Sequence, residues 1–371
     1  MKRFFFSLFS LMLPLLMMAQ GWPANYGGVM LQGFFWDSFV DTQWSNLESE
    51  SDEVSEYFDL LWVPQSGNCN TSYNVMGYAP VYWYNQNSTF GTEAQLRSMI
   101  NAYKQKGVGV IADVVINHRG SVGVGGSWVD FPAEMYNGVT YQMGLADICK
   151  SDDGGNTAKN YAVTGANDTG EDWGGMRDLD HTSQNVQDNV VAYLNFLQKD
   201  LGYAGFRYDM TRGYNGKYLS MYNQAAQPYI SVSEFWEGIG QQVNHLKAAE
   251  YNTMIFDFPL KYTLGDAIVK GSYSLLKNPV NSLRGKGYAK YAVTFIDNHD
   301  TFERSDSQGN QFGGYNVDLG TDKVKAQILQ ANAYILMMPG IPCVFWPHWK
   351  SYQKEINEMI AIRKKAGIHS E

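Results

Sequence analysis

Apolar and polar positions after Gly21 form two repeating patterns, short apolar runs and longer amphipathic stretches. The short runs are rich in β-branched and aromatic residues, which is typical of strands that are covered on both faces. Eight such runs are present: Val29–Phe34, Leu60–Val63, Val108–Val114, Gly205–Tyr208, Tyr229–Ser233, Met254–Phe258, Tyr291–Ile296 and Pro342–Phe345.

The amphipathic stretches follow the apolar runs, directly or after an insertion, and have the spacing of helices. Examples are Glu93–Lys106, Val186–Leu201, Asp322–Met338 and Tyr352–Lys365. Strands that alternate with helices in this way form parallel sheets with helical crossovers. Eight such units predict an α/β fold, a closed (β/α)8 TIM barrel.

One connection is much longer than the others. Between the third apolar run and the helix near Val186 lie roughly 65 residues rich in Gly, Asn, Asp and Thr, too many for a structureless loop in a compact domain. We therefore predict an inserted subdomain, domain B, over residues 119–178, held by something other than a core of its own. The barrel then comprises residues 20–118 and 179–371.

Composition and charge exclude two broad classes. The chain has 371 residues, of which 44% are hydrophobic, and this content is too high for a disordered protein. Its 28 Lys and Arg against 37 Asp and Glu give a net charge of −9, without a basic stripe on any predicted element. We therefore expect no nucleic-acid partner, because such binding depends on clustered cations.

The N-terminus has the pattern of a secretory signal peptide. Lys2 and Arg3 precede an apolar run from Phe4 to Met18, and Ala19 offers a small residue at the cleavage point. The run is about 15 residues long, which is short for a membrane span of roughly 20. We predict a signal peptide over residues 1–19, a secreted or periplasmic location and no membrane attachment after its removal.

Cysteine is scarce for a protein that enters an oxidising compartment. Cys69, Cys149 and Cys343 are too few for a dense disulfide framework, so size must supply the stability. We expect each to be a small buried hydrophobe, although one pair could bridge. We also expect a monomer.

Polar side chains with catalytic potential follow several of the predicted strands. In a barrel of this kind, chemistry lies at the carboxyl ends of the strands. The third, fourth, fifth and seventh predicted strands end in Asp113–His118, Gly205–Asp209, Val232–Trp236 and Phe295–Asp300. Three carboxylates, Asp209, Glu234 and Asp300, are thus predicted to converge on one rim.

Two carboxylates in different environments are what cleavage of a glycosidic bond requires. Arg207 precedes Asp209 by two residues on the same strand face and can hold Asp209 ionised, which makes Asp209 the better nucleophile. Glu234 is followed by Phe235 and Trp236, so it is the better candidate for a raised pKa and for the acid. The retaining mechanism predicts that these two carboxyl groups lie about 5 to 5.5 Å apart.

Four segments resemble the short motifs of the α-amylase family, glycoside hydrolase family 13, in order and in spacing. They are Asp113–His118, Gly205–Asp209, Glu234 and Phe295–Asp300. The similarity runs through essentially the whole mature chain. Further segments resemble plant-type α-amylases: Leu61–Pro64, Gly77–Pro80, Lys106–Val108, Asp168–Gly170, Arg212–Tyr214 and Pro339–Cys343.

The resemblance implies a role for each matching residue. Asp209 would be the nucleophile, Glu234 the general acid/base and Asp300 the carboxylate that orients the reacting sugar. The remaining substrate-binding residues would be Tyr78, which stacks on the sugar ring, and His118, Arg207 and His299. Arg212 and Gly213 stand where many amylases have Lys-His, a change that plant-type enzymes share and that concerns substrate contacts beyond the cleavage point.

Oxygen-bearing residues at both ends of the insertion predict a calcium site. Asn117 follows the third predicted strand, while Asp168 and Asp178 lie ten residues apart near the end of the insertion. Calcium takes six to eight oxygen ligands and can order a Gly-rich segment. By the family resemblance, backbone carbonyls at Glu171 and Gly213 complete the shell.

The family usually carries a small antiparallel β domain after the barrel. This chain stops at Glu371, soon after the helix predicted for Tyr352–Lys365. We therefore predict no C-terminal β domain in this chain, and whether it is a fragment stays open.

The predicted function is endo-hydrolysis of α-1,4-glucosidic bonds in starch-type or glycogen-type glucans, with maltooligosaccharides as shorter substrates. A transglycosylase or a debranching enzyme with the same carboxylates is an alternative, because loops decide which acceptor takes the glycosyl unit. A glucan-binding protein with a weak site is another, although all three carboxylates are present. A barrel aldolase is disfavoured, since no Lys ends a predicted strand.

Overall fold

A computed structural model describes residues 22–69, 76–121, 131–151, 163–302, 304–305, 311–312 and 325–371, with residues 304–305, 311–312 and 325–326 described by their backbone alone. The predicted signal peptide, residues 1–19, lies outside these ranges. Within them, every helix is too short or too polar to cross a membrane.

Eight parallel strands close into the predicted barrel, each paired with its neighbours in chain order and the last with the first. The strands are β1 Met30–Gln32, β2 Leu60–Val63, β3 Gly109–Val114, β4 Gly205–Tyr208, β5 Ile230–Ser233, β6 Met254–Phe256, β7 Ala292–Phe295 and β8 Ile341–Phe345. Nearly every strand residue is buried, because helices cover the outside and side chains fill the inside.

Helices surround the barrel and connect its strands. They are α1 Trp44–Ser49, α2 Ser51–Tyr57, α3 Glu93–Gln105, α4 Gln184–Asn195, α5 Gly216–Ala226, α6 Ile239–Ala248, α7 Phe258–Val269, α8 Lys325–Met337, α9 Trp346–Ser351 and α10 Gln353–Ala366. A π-helical segment, Phe196–Leu201, continues α4 and ends at Gly202, whose φ of 92° favours glycine. Short 3-10 turns are Leu145–Asp147, Thr211–Gly213, Tyr273–Leu276, Arg284–Lys286 and Ala289–Tyr291.

Aromatic side chains pack inside the barrel beneath its carboxyl end. Trp62 contacts the rings of Phe34 and Phe256, with centroids 5.1 and 5.3 Å apart, and Phe256 contacts Phe295 at 5.4 Å. Trp62 lies on β2, whereas Phe256 and Phe295 lie on β6 and β7, so these rings meet across the barrel interior. They form a rigid floor for the side chains above them.

The long insertion leaves the barrel after β3 and returns before α4. Its two ends pair as a short antiparallel ladder, His118–Arg119 with Arg177–Asp178, and a hairpin forms from Glu134–Tyr136 and Val139–Tyr141. The described part also buries Phe131, Met143 and Ile148 in the main hydrophobic core. The expectation that the insertion is held by something other than a core therefore holds only in part. The division into a barrel and a domain B over residues 119–178 stays a prediction.

All three cysteines are buried and none forms a disulfide. The expectation of small buried hydrophobes is therefore confirmed, and no pair bridges.

Candidate active site

The carboxyl ends of the strands surround a cavity of about 490 Å³. Its lining residues are Trp36, Tyr78, His118, Glu171, Trp173, Asp209, Met210, Arg212, Glu234, Trp236, His299 and Asp300. The three predicted carboxylates, both predicted histidines and Tyr78 all belong to this set. The structure thus brings together residues that lie far apart in the sequence, as the strand-end pattern predicts.

The buried guanidinium of Arg207 lies at the base of this cavity. Its Nη1 atom lies 2.7 Å from Asp113 Oδ1 and 2.9 Å from Asp209 Oδ1, and its Nη2 atom lies 2.9 Å from Glu234 Oε2. One side chain therefore sets the relative positions of Asp209 and Glu234 through adjacent nitrogens. Arginine suits this role because its planar fork fixes the direction of every donor.

The charge balance of this cluster differs from the sequence prediction. Burial raises the pKa of Asp209 well above its usual range, Arg207 opposes that rise, and the neighbouring carboxylates of Glu234, Asp113 and Asp300 add to it. The contact between Arg207 and Asp209 is confirmed, but a single guanidinium does not offset burial and three nearby carboxylates. The pKa of Asp113 is also raised by burial, against the effect of Arg207. The cluster therefore keeps a proton more readily than an isolated Asp209 beside Arg207 would.

Backbone geometry links the loops that carry Asp209 and Glu234. Met210 has a left-handed conformation with φ 44° and donates its N–H to Glu234 Oε2 at 2.9 Å. Thr211 donates its N–H and its hydroxyl to the Glu234 carbonyl at 3.0 and 2.7 Å. These bonds join the residues that follow Asp209 to the side chain and the backbone of Glu234.

The two predicted histidines are buried, and both contact Tyr78. His118 Nε2 lies 3.0 Å from the Tyr78 carbonyl, and burial lowers its pKa to about 4, so it is neutral at pH 7. His299 lies between Gln32 Nε2, 2.9 Å from its Nδ1, and Asp300 Oδ2, 3.2 Å from its Nε2. Gln32 on β1 therefore orients His299, and His299 contacts the third carboxylate.

Nearly parallel rings form one wall of the cavity. Tyr78 lies 5.8 Å from Trp36 and 5.2 Å from His299, with interplanar angles of 7° and 9°. The Tyr78 hydroxyl donates to Asp113 Oδ2 at 2.9 Å, which fixes the ring. A rigid aromatic face beside polar groups is suited to a sugar ring.

Several residues of the site are absent from the set predicted by sequence. Asp113 joins Arg207, Tyr78 and the Trp62 indole, whose Nε1 lies 3.1 Å from Asp113 Oδ2. The position of Asp113 at the start of a motif was a usable signal for it. Trp36 and Gln32 carry no such signal, because their roles arise only from contacts through space.

The predicted calcium ligands converge where the insertion meets the barrel. Asn117 Nδ2 donates to Asp178 Oδ1 at 2.9 Å. Carboxylate oxygens of Asp168, Asp172 and Asp178 lie within 4.8 Å of one another, so Asp172 joins the cluster that the sequence predicted without it. Asn117 Oδ1 and Asp168 Oδ2 are buried and accept no hydrogen bond from any described residue. Buried oxygen atoms that accept no hydrogen bond are suitable ligands for a hard cation such as Ca²⁺.

Gly213 and Glu171 lie beside this cluster in different ways. A Cβ atom on Gly213 would come within 1.9 Å of Asn117 Oδ1, so only glycine fits against that oxygen. The Glu171 carboxylate instead binds Arg212, with Nη2 2.6 Å from Oε1, and the Glu171 N–H donates to the Arg212 carbonyl at 2.9 Å. The side chain of Glu171 therefore faces the cavity rim. The group of Glu171 that is expected to bind calcium is its backbone carbonyl.

No family model matches the chain. Comparison with curated proteins finds relatives that are named as amylases or as a glucan maltotetraohydrolase. The chain is 30% identical to "Probable alpha-amylase 2" of Arabidopsis thaliana over 367 residues, which cover 92% of this chain and 81% of that protein. It is 27% identical to "Alpha-amylase 3, chloroplastic" of the same plant, covering 92% of this chain and 38% of that protein. It is 28% identical to "Glucan 1,4-alpha-maltotetraohydrolase" of Roseateles saccharophilus, covering 93% and 63%.

Two solved structures share the fold. The alpha-amylase I of Eisenia fetida matches with a TM-score of 0.63 and 23% identity over 88% of this chain and 68% of that one. An alpha-amylase of Malbranchea cinnamomea matches with a TM-score of 0.61 and 20% identity over 92% and 77%. The predicted barrel is thereby confirmed by two independently solved proteins.

Proposed function

Because this chain belongs to the α-amylase family, we propose that it is an endo-acting hydrolase of α-1,4-linked glucans such as starch and glycogen, which retains the anomeric configuration. The observation that carries the proposal is the arrangement at Arg207. A single buried guanidinium holds Asp209 and Glu234 side by side at the cavity, with Asp300 on the same rim. Retaining glycosidases need such an adjacent pair.

In the proposed mechanism, an Asp209 oxygen attacks the anomeric carbon while Glu234 gives its proton to the leaving glycosidic oxygen. Water, deprotonated by Glu234, then attacks the same carbon and releases Asp209. The first step requires a proton on Glu234 and an ionised Asp209. The leaving glycosidic oxygen would accept a hydrogen bond from the Glu234 carboxyl group that delivers this proton.

The neighbouring side chains orient the sugar. Asp300 and His299, in contact with each other, are placed to bind hydroxyl groups of the reacting ring, and neutral His118, whose Nε2 donates to the Tyr78 carbonyl, lines the same cavity. Tyr78 supplies the stacking face. Such contacts contribute to catalysis to the extent that they strengthen in the transition state.

Product analysis on amylose tests this proposal. An endo-acting hydrolase releases a mixture of maltooligosaccharides, and an added sugar acceptor does not change their yield. Acceptor-dependent longer products would favour a transglycosylase, and binding without measurable hydrolysis would favour a glucan-binding protein. Cleavage confined to branched substrates would indicate a debranching enzyme.

We also propose that one Ca²⁺ ion binds where the insertion meets the barrel. Asn117, Asp168 and Asp178 would supply side-chain oxygens, Glu171 and Gly213 backbone carbonyls, and Asp172 lies close enough to contribute. The ion would hold the insertion against the loop that follows Asp209. Since it would bind only the folded form, chelation should lower the melting temperature and the activity together, and added Ca²⁺ should restore both. Unchanged melting after chelation to a metal-free state, verified by elemental analysis, would refute the site.

The N-terminal pattern supports a further proposal, that the protein is exported and cleaved after Ala19. N-terminal sequencing of the exported protein should begin at Gln20. A mature protein that still carries Lys2 and Arg3 would refute it.

A further inference from the structure

A buried charged cluster lies behind the loop that carries His299 and Asp300. Lys261 on α7 and Asp297 after β7 have side chains that are 2% and 0% exposed, and Lys261 Nζ lies 3.8 Å from Asp297 Oδ1. His348 Nε2 lies 3.8 Å from the other oxygen of Asp297. None of these three side chains lines the cavity.

Hydrogen bonds connect Asp297 to the backbone of Asp300. The Thr301 hydroxyl donates to Asp297 Oδ1 at 2.7 Å and accepts from the Asn298 N–H at 3.0 Å. Asn298 Oδ1 in turn accepts from the N–H groups of Asp300 and Thr301, both at 2.9 Å. The carboxylate of Asp297 is therefore the buried end of a network that fixes this loop.

The cation that balances Asp297 is Lys261. Burial first and Lys261 second lower the pKa of His348 to about 3, so that imidazole is neutral at pH 7. Separating two opposite charges in a buried site of low dielectric constant costs free energy, because each charge then lacks its partner. Asp297 therefore stays beside Lys261, and the loop bonded to Asp297 stays with it.

We infer that Lys261 and Asp297 are positioning residues, whose buried ion pair holds the loop of residues 297–301 so that Asp300 and His299 face the reacting sugar. The kinetic consequence rests on the proposed function. The structural consequence, that Lys261 fixes the loop of residues 297–301 through Asp297, does not rest on the proposed function.

Hydrogen exchange tests the structural part directly. In Lys261→Met, the amides of Asp300 and Thr301 should exchange faster than in the wild type, because their acceptor network has lost its fixed end. Lys261→Arg, which keeps the charge, should restore slow exchange. If Lys261→Met does not fold, Asp297→Asn removes the charge but keeps an acceptor for Thr301 and should give the same result. Unchanged exchange at these amides would overturn the inference.

Arg363→Met is the matched control. Arg363 is another buried cation, on α10, and donates to the carbonyls of Leu336, Met338 and Gly340 away from the cavity. Its loss should lower the melting temperature without faster exchange at Asp300 and Thr301. Equal acceleration in both variants would mean general loosening and would contradict the inference.

Kinetics on amylose test the functional part. Lys261→Met should lower kcat roughly tenfold to 100-fold, with a smaller change in KM, because small misplacements of catalytic groups cost that much. In an Asp300→Ala background the same substitution should have a clearly smaller effect, because only the contribution through His299 remains. The double variant Lys261→Met/Asp297→Asn, which removes both charges, should lose less than the two single effects combined.

The two failures are distinguishable. A wild-type protein without hydrolysis would refute the proposed function, while hydrogen exchange would still decide the positioning role. If Lys261→Met lowered kcat equally with Asp300 present and in the Asp300→Ala background, positioning through Asp300 would be refuted, while the hydrolase proposal would stand.

Discussion

At the scale of single residues, the site is organised around one arginine. Arg207 contacts Asp113, Asp209 and Glu234, so its charge is shared among carboxylates with different tasks. Sharing leaves excess negative charge in a buried place, and this explains why the pKa of Asp209 is raised despite the contact.

Asp209→Asn should reduce turnover by several orders of magnitude while the protein stays folded and still binds oligosaccharide. The substitution removes the nucleophilic charge with almost no change in volume. Steady-state kinetics and a binding isotherm measure the two effects separately. Asp41→Asn, at an exposed position, is the control and should behave as wild type. Turnover near the wild-type rate in Asp209→Asn would refute the assignment.

The positions of the candidate catalytic residues follow from the sequence, but their electrostatics do not. Asp209, Glu234 and Asp300 each follow a short apolar run, and parallel strands bring such ends together. The raised pKa of Asp209 comes instead from burial first, which Arg207 opposes, and then from Glu234, Asp113 and Asp300, whose distances no spacing rule provides. The contact between Gln32 Nε2 and His299 Nδ1 likewise joins residues that are 267 positions apart in the sequence.

At the scale of elements, one carboxylate anchors the hairpin of the insertion to the barrel. Glu134 accepts from the N–H groups of Trp83 and Tyr84 at 2.8 and 2.9 Å, and its Oε2 lies 2.9 Å from Arg119 Nη2. The guanidinium of Arg119 also lies over the Trp83 ring, 4.7 Å from its centroid. The insertion is thus joined to the loop after β2 by charge as well as by buried apolar side chains.

Glu134→Ala should lower the free energy of unfolding by about 3–5 kcal/mol, because it leaves the buried Arg119 charge without its partner. Glu134→Gln should cost less, since one carbonyl oxygen can still accept. Denaturant titration measures both. A loss below about 1 kcal/mol in Glu134→Ala would show that the hairpin does not depend on this ion pair.

Most strands appear where the short apolar runs predict them, but a capping residue can move a strand end. The sixth strand, predicted over Met254–Phe258, ends at Phe256 because Asp257 caps the following helix by accepting from the Leu260 N–H at 3.0 Å. Asp257 also accepts from the Leu283 N–H at 2.9 Å, a contact that local sequence does not reveal. Apolar periodicity locates the element, and side-chain bonds then set where it stops.

At the scale of the whole molecule, buried titratable groups act on stability in opposite directions. Burial lowers the pKa of three histidines in the folded protein to about 4: His118, His181 and His245. In the unfolded chain the same side chains bind protons below about pH 6.5. Each such histidine contributes stability that is present above pH 6.5 and is lost as the pH falls toward 4. Asp257, whose pKa burial raises to about 7, acts in the opposite sense and costs stability as the pH rises through 7.

Single substitutions separate these opposing contributions. Between pH 7.5 and pH 5, the wild type should lose about 2 kcal/mol more stability than His245→Gln, because only the wild type resists protonation at that site. Relative to Asp257→Asn, the wild type should instead gain stability over the same interval. Denaturant titrations at both pH values measure the differences. Parallel pH profiles for wild type and variants would refute the assigned pKa shifts.

The anomeric configuration of the first product tests the central claim, a double displacement at Asp209 assisted by Glu234. Proton NMR during the first turnovers on a maltooligosaccharide resolves the two anomers before they equilibrate. The account predicts that the α-anomer forms first, since two inversions at one carbon restore the starting configuration. Initial release of the β-anomer would contradict it, because a single displacement by water leaves no role for Asp209 as the nucleophile.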